Sequence, residues 1–203
     1  LSIISWLKEG GAKGGEVRPR EGAGKTAPAD PGAVIRGRAR LITGADGELL
    51  DDIDTDMIFH NRYLSITDLK DMGAHTFETL EGYGDFAESV KEGDIIIAGG
   101  NFGCGSSRQQ AVDCFISLGA GLVITRSTGA IYKRNIINSG FPFLEIPELT
   151  ADMLGEGEEL EINFREGKIT RANGEVIIAE KPPSVQVDIY GAGGLFAYSG
   201  EEG

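Results

Sequence analysis

Asp94-Ile95-Ile96-Ile97-Ala98-Gly99-Gly100-Asn101-Phe102-Gly103-Cys104-Gly105-Ser106-Ser107-Arg108 opens the stretch that decides the fold, and Gly121-Leu122-Val123-Ile124-Thr125 closes it. Ile95–Ala98 is apolar without alternation, the pattern of a strand covered on both faces. A glycine-rich turn follows, and a helix is predicted from Ser106, with Ala111, Cys114, Phe115 and Leu118 at helical spacing and Gly119 and Gly121 at its end. Leu122–Thr125 is a second run of the first kind. Strand, helix and strand in that order make a β-α-β unit, whose strands lie parallel in one sheet.

Outward from this centre, Ala33–Ile42 is predicted as a strand with partial alternation. A second helix is expected over Gly129–Ser139, capped by Ser127 or Thr128 and stopped by Gly140. Phe143–Ile146 is a third short strand. Beyond Pro147 the texture is β-rich, with Leu160–Phe164, Lys168–Arg171 and Val176–Ala179 as strands and Asn173-Gly174 as a hairpin turn. Val185–Ile189 is predicted as a last strand. Residues 10–33 hold Gly, Ala or Pro at 15 of 24 positions and read as a flexible linker. Ser2–Leu7 before it is either a terminal stub or one helical turn that docks on a partner. The domain division is therefore 1–33, stub and linker, and 34–203, one α/β domain. The chain opens at Leu1 without an initiator methionine, which leaves a processed protein and the C-terminal piece of a longer one both open.

Several function classes are disfavoured by composition. Lys and Arg number 19 against 32 Asp and Glu, a net charge of −13, which opposes phosphate backbones and anionic membranes. Two cysteines, Cys104 and Cys114, are too few for a disulfide framework or for holding an iron–sulfur cluster unaided. Two histidines, His60 and His75, do not make a His-rich metal site. No apolar run is long enough for a membrane span, and Leu1–Leu7 lacks the basic leader and length of a signal peptide, so a cytoplasmic protein is expected.

Two stretches carry candidate chemistry. In Gly103–Arg108 the glycines allow a tight turn and a close approach of backbone to ligand. Serines at the predicted helix start would face free amides and the positive end of the helix dipole, a setting for a carboxylate or for a serine alkoxide. Arg108 can clamp a carboxylate with two parallel hydrogen bonds. The same stretch also suits a plain N-cap behind a tight connection. It lacks the lysine of a phosphate-binding P-loop and the G-x-S-x-G of a nucleophile elbow. The second stretch, Asp51-Asp52-Ile53-Asp54-Thr55-Asp56-Met57-Ile58, is acid-rich but has neither the central glycine nor the distal glutamate of a calcium loop.

Taken together, Asp51–Ile58, Asn61-Arg62-Tyr63-Leu64 and Gly100–Arg108 resemble the small subunit of isopropylmalate isomerase and homoaconitase, the swivelling-domain family of aconitase. The likeness continues through Ile124–Ser127 and Ile131–Asn135 to Gly140-Phe141-Pro142. It implies an aconitase-type swivelling domain: a β/α/β core in a mixed or parallel sheet with a β-rich C-terminal part. It implies a hydro-lyase of leucine biosynthesis that isomerises a 2-hydroxy acid by dehydration and rehydration, active with a large subunit as heterodimer or heterotetramer. The large subunit would hold the [4Fe–4S] cluster, and no metal would sit on this chain. By the same likeness Ser106 is the general base, Ser107 and Arg108 bind the substrate carboxylate, and Asp56 supports the acid side by orienting a histidine of the large subunit.

Two departures from the family pattern stand out. Gln109-Gln110 replaces the usual Glu-His, which alters support for the loop. Ser65 stands where aconitase and homoaconitase have an arginine for the distal carboxylate. Ser65 and Ile66 therefore offer a polar but uncharged and an apolar contact, with Arg62 as the nearest alternative cation. A buried carboxylate without a partner is costly, so an alkyl-bearing malate suits this pocket better than a tricarboxylate. The swivelling domain of an aconitase, a homoaconitase or an alkylmalate dehydratase is the alternative within the family. An RNA-binding module and an inactive anion-binding module are the alternatives outside it, the first opposed by the charge.

Overall fold

In the computed structural model, Asp30, Gly32 and residues 34–198 are described. The expected linker and terminal turn fall almost wholly outside these residues. The elements run β1 (Val34–Leu41), α1 (Thr55–Ile58), α2 (Leu69–Met72), α3 (Phe86–Ser89), β2 (Ile95–Ala98), α4 (Gln110–Leu118), β3 (Leu122–Thr125), α5 (Ala130–Asn138), β4 (Phe143–Glu145), β5 (Glu159–Asn163), β6 (Lys168–Arg171), β7 (Val176–Ile178) and α6 (Ser184–Ala192).

One seven-stranded sheet orders them β4-β3-β2-β1-β5-β6-β7. Its first half is parallel, with Ile96 opposite Val123 and Ile124 opposite Leu144, and β1 joins in parallel with Arg40 opposite Ile96. Its second half is antiparallel, from β1–β5 through β6 to β7. The sheet is mixed, one of the two forms, mixed or parallel, that the family likeness implied. Alternate residues of the apolar runs serve two separate cores. Ile96, Ala98 and Val123 pack with α4, α5 and the helices before β2. Ile95, Ile97, Leu122 and Ile124 pack on the other face with Leu160, Ile162, Ile169 and Val187. Burial on both faces is why those strands carry no polar alternation.

Two predicted elements are corrected. Val185–Ile189 is part of helix α6, not a strand. Gln186, Val187 and Ile189 are buried while Val185 is exposed, a helical stripe that the alternating valines disguise. Pro183 sits at its N-cap, and Gly193 ends it in the left-handed conformation at φ +78°. The other correction concerns α4, which begins at Gln110 and not at Ser106. The stretch Gly105–Arg108 is loop, and its Ser106 carbonyl accepts from the Thr55 hydroxyl on α1. Neither Ser127 nor Thr128 caps α5. Gly129 takes the N-cap position, the Ser127 hydroxyl accepts from the Asn101 amide (2.8 Å), and the Thr128 hydroxyl pairs with that of Thr125 (3.0 Å).

Candidate active site

The two stretches singled out from the sequence, far apart along the chain, are laced together. The Thr55 amide donates to the Cys104 carbonyl (2.9 Å) and the Gly103 amide to the Ile53 carbonyl (2.7 Å). The Thr55 hydroxyl donates to the Ser106 carbonyl at 3.0 Å, and Asn101 Nδ2 donates to Asp52 at 2.7 Å. On the far side the Gly129 amide donates to the Phe102 carbonyl (2.8 Å). The loop is therefore held between α1 and the start of α5.

Glycine is required at Gly103 for two reasons. Its φ is +72°, and a Cβ there would stand 2.2 Å from the ring of the fully buried Tyr132. Tyr132 is in turn fixed by its hydroxyl on the Ala111 carbonyl (2.9 Å) and by an edge-on contact with Phe102. The chain then turns outward through Gly105 (φ +94°), leaving Ser106 and Ser107 exposed on the rim.

Arg108 reaches back under the loop. Its guanidinium engages both oxygens of Asp56, with Nη2 2.7 Å from Oδ2 and Nη1 on Oδ1, and Nη1 also donates to the Phe59 carbonyl at 3.3 Å. Asp56 accepts additionally from the Asn61 amide (3.0 Å). The Arg108 hydrogen bonds hold the Asp56 carboxyl below the usual carboxylate range, and the Asn61 amide adds to this. Because the folded pKa is depressed, the pair is charged throughout the neutral range, and its contribution is lost only as pH falls through that lowered value. The sequence assigned Asp56 and Arg108 separate tasks and did not foresee that they pair.

The remaining predicted residues lie on the neighbouring turn. Arg62 belongs to a 3₁₀ turn, Asn61–Tyr63, and Ser65 is exposed just beyond it. Ile66 is half-buried against the apolar core and donates its amide to the Tyr63 carbonyl (2.9 Å). Arg62 leans over the Tyr63 ring, 4.9 Å from its centre, with Nη2 3.5 Å from Glu78.

With α4 beginning at Gln110, the serines are not on its first turn, and the dipole argument does not apply to them as stated. Behind the loop, Gln109 donates one amide to Asp113 (2.8 Å) and to Ser139 (2.6 Å). Asp113 is almost fully buried, and burial pushes its carboxyl up to about 6 against the relief of the Gln109 bond. Asn135 Nδ2 lies 3.4 Å from the Ser107 hydroxyl, and sequence reasoning gave neither Asn135 nor Thr55 a role. A short polar side chain inside a motif carries no signal of its own contact. Cys104 lies half-buried in the loop with its thiol pushed up by burial and by Asp54 and Asp52. Cys114 is fully buried in α4 with its thiol raised to about 12. Among the described residues no group of three or more His, Cys, Asp or Glu side chains is placed to hold a metal ion, so these residues do not fit an iron–sulfur cluster. None of the described helices is long and apolar enough to cross a membrane.

Comparison with known proteins gives this arrangement a lineage. The family described as the aconitase C-terminal domain matches residues 47–149, which contain both stretches. The chain belongs to that family. Within it, the 3-isopropylmalate dehydratase small subunit 1 of Methanopyrus kandleri is 40% identical over 171 residues, 84% of this chain and 95% of that relative. The 2,3-dimethylmalate dehydratase small subunit of Eubacterium barkeri is 39% identical, covering 73% of this chain and 90% of that relative. The crystal structure of 3-isopropylmalate dehydratase from Methanocaldococcus jannaschii superposes with a TM-score of 0.69 at 36% identity, covering 81% of this chain and 92% of that one. The chain is thus a hydro-lyase small subunit of the aconitase family, with its fold.

Proposed function

We propose that this chain works with a large, [4Fe–4S]-bearing subunit, in a heterodimer or heterotetramer, to isomerise an alkyl-substituted malate of the 3-isopropylmalate kind. The observation that carries this reading is the junction itself: an exposed Ser106-Ser107 rim held in place by α1, with Arg108 and Asp56 paired directly beneath. Ser106, as alkoxide, takes the carbon-bound proton; departure of the hydroxyl as water and its return at the neighbouring carbon fall to the partner. Ser107 donates its hydroxyl to the substrate carboxylate, and the Asn135 amide facing its oxygen leaves that proton free to point outward. Arg108 supplies charge, with Asp56 fixing the plane of its guanidinium. In the family role Asp56 also orients a histidine of the partner. Its remaining lone pairs and partial exposure support that second task.

Specificity belongs to the Asn61–Ile66 turn. Ser65 brings no charge and Ile66 presents apolar surface, which favours an alkyl substituent over a third carboxylate. The cluster is assigned to the large subunit because Cys104 and Cys114 lie at different depths and do not form a ligand set. Residues 1–33 act as stub and linker, and 34–203 as the swivelling domain of a cytoplasmic enzyme that takes neither nucleic acid nor membrane as partner. The Eubacterium barkeri relative's name favours one second reading, an alkylmalate dehydratase that acts on a 2,3-dimethylmalate-like substrate.

Reconstitution tests the proposal. The purified chain should show no iron–sulfur absorption after anaerobic treatment with iron and sulfide, and no dehydratase activity. Both should appear when it is co-expressed with the large subunit. Cluster absorption on this chain alone would refute the division of labour. Turnover of 2,3-dimethylmalate in preference to 3-isopropylmalate would select the second reading.

A further inference from the structure

Glu78 lies outside every motif read from the sequence, yet it is the hub of the turn that carries Ser65 and Ile66. The Tyr63 hydroxyl donates to its Oε1 at 2.6 Å, His75 Nδ1 lies 2.7 Å from its Oε2, and Arg62 Nη2 approaches Oε1 at 3.5 Å. The rings reinforce the same arrangement. Tyr63 stacks on His75 with centroids 3.8 Å apart, Phe59 meets both edge-on, and Arg62 covers the open side of Tyr63. Glu78 is also tied to the catalytic side. The preceding Phe77 amide donates to the Ile58 carbonyl (2.9 Å), and the following Thr79 hydroxyl reaches the Asp56 carbonyl (3.5 Å).

Arg62 is the one cation on the turn that could take over from the arginine missing at Ser65. Here it is held between a carboxylate and an aromatic face. The backbone bonds of the turn are local, His60–Tyr63, Asn61–Leu64 and Tyr63–Ile66, so they leave the direction of the Arg62 side chain open. That direction is set by Glu78 and Tyr63.

We propose that Glu78 is a positioning residue for substrate selection: through Tyr63 it fixes the turn against α1, and it withholds Arg62 from the pocket, keeping the distal end of the site uncharged. This rests on the reading that the turn faces the substrate's substituent. The Arg62–Glu78 contact is partly exposed and long, so a modest effect follows and not an absolute switch.

The test uses the complex with the large subunit and compares kcat/KM for 3-isopropylmalate with that for a tricarboxylate hydroxy acid such as homocitrate. E78Q keeps an acceptor for Tyr63 but removes the charge that holds Arg62. It should move the ratio about 5- to 10-fold toward the tricarboxylate, chiefly through KM. Adding R62A to E78Q should reverse the shift. In the isolated chain, hydrogen exchange at residues 61–66 should rise in E78A and much less in E78Q, with α4 and β2 unchanged, which separates loosening of the turn from general unfolding. An unchanged ratio in E78Q and E78A, or a shift that survives R62A, overturns the proposal. S65R serves as the independent control. If S65R moves the ratio and the Glu78 variants do not, this inference alone fails; if none of them moves it, the reading of the turn fails with it.

Discussion

Two neighbouring parts of the site are built by different means. The Gly103–Arg108 loop is fixed by main-chain bonds to Ile53, Thr55 and Gly129 and by Gly103, where any side chain would clash with the Tyr132 ring. The Asn61–Ile66 turn has main-chain-to-main-chain bonds only within residues 60–66, and it is held by side chains, chiefly Tyr63, His75 and Glu78, with Asp56 accepting from the Asn61 amide. A backbone-built part is hard to alter by single substitutions, whereas a part held by side chains can be retuned one residue at a time. The first suits chemistry shared by every member of a family, and the second suits the feature by which members differ.

The comparison predicts where single changes hurt most. Ser106→Ala should lower kcat by about two to four orders of magnitude with KM little changed, because it removes the proton acceptor and leaves Ser107, Arg108 and Asp56 in place. Ser107→Ala should act mainly on KM. Steady-state kinetics of both variants in the complex, with exchange of the substrate's carbon-bound proton into solvent, distinguish them. Near wild-type exchange in Ser106→Ala would remove Ser106 from the role of base.

Next in size is Gly103→Ala. The new Cβ would occupy space held by the Tyr132 ring, at a φ that L-residues avoid. Displacing a buried tyrosine and straining the turn should cost about 3 kcal/mol or more. Urea unfolding of the isolated chain measures it. A loss under 1 kcal/mol would mean that the loop yields, and that its rigidity is not what separates it from the turn.

The centre of the fold was legible because a strand covered on both faces has to be apolar throughout, and Ile95–Ala98 and Leu122–Thr125 meet that demand without competition. One error fell where two patterns coincide. Val185, Val187 and Ile189 alternate like a strand, and only the buried Gln186, donating to the Phe143 carbonyl (3.1 Å), reveals the helix. In the site, the residues of both stretches were recognisable by type and spacing. Their pairing was not, because Asp56 on α1 and Arg108 in the loop meet through a tertiary contact that no local periodicity encodes. Glu78 gave still less signal: an acid three residues after a histidine is ordinary on any exposed turn.

The side-chain-held turn should tolerate what the loop does not. Ser65→Arg should leave stability nearly unchanged, since Ser65 is exposed. It should raise kcat/KM for a tricarboxylate relative to 3-isopropylmalate by roughly 10-fold or more. If the ratio holds, the turn does not read the substituent and the division between the two parts loses its functional meaning.

The smallest effect tests whether the backbone-built part needs the charge behind it. Asp113 lies on α4 under the loop, buried, and raised from 3.8 to about 6. The sign follows from linkage. Between those values the folded chain holds this proton more tightly than the unfolded chain, so stability from Asp113 falls as pH rises toward 6 and is level above it. Asp113→Asn removes that decline while its side-chain oxygen can still accept from Gln109. The variant should be more stable, with a higher Tm, at pH 7.5, and the gain should vanish near pH 4. Asp56, Glu78 and Glu158, whose carboxyls are lowered, titrate alike in both proteins and cancel in the difference. Thermal melts across pH 4–8 decide the sign. A variant less stable at pH 7.5 would show that the ionised carboxylate, by fixing the Gln109 amide and through it Ser139, is part of what holds the loop. The backbone would then share that task with a buried charge.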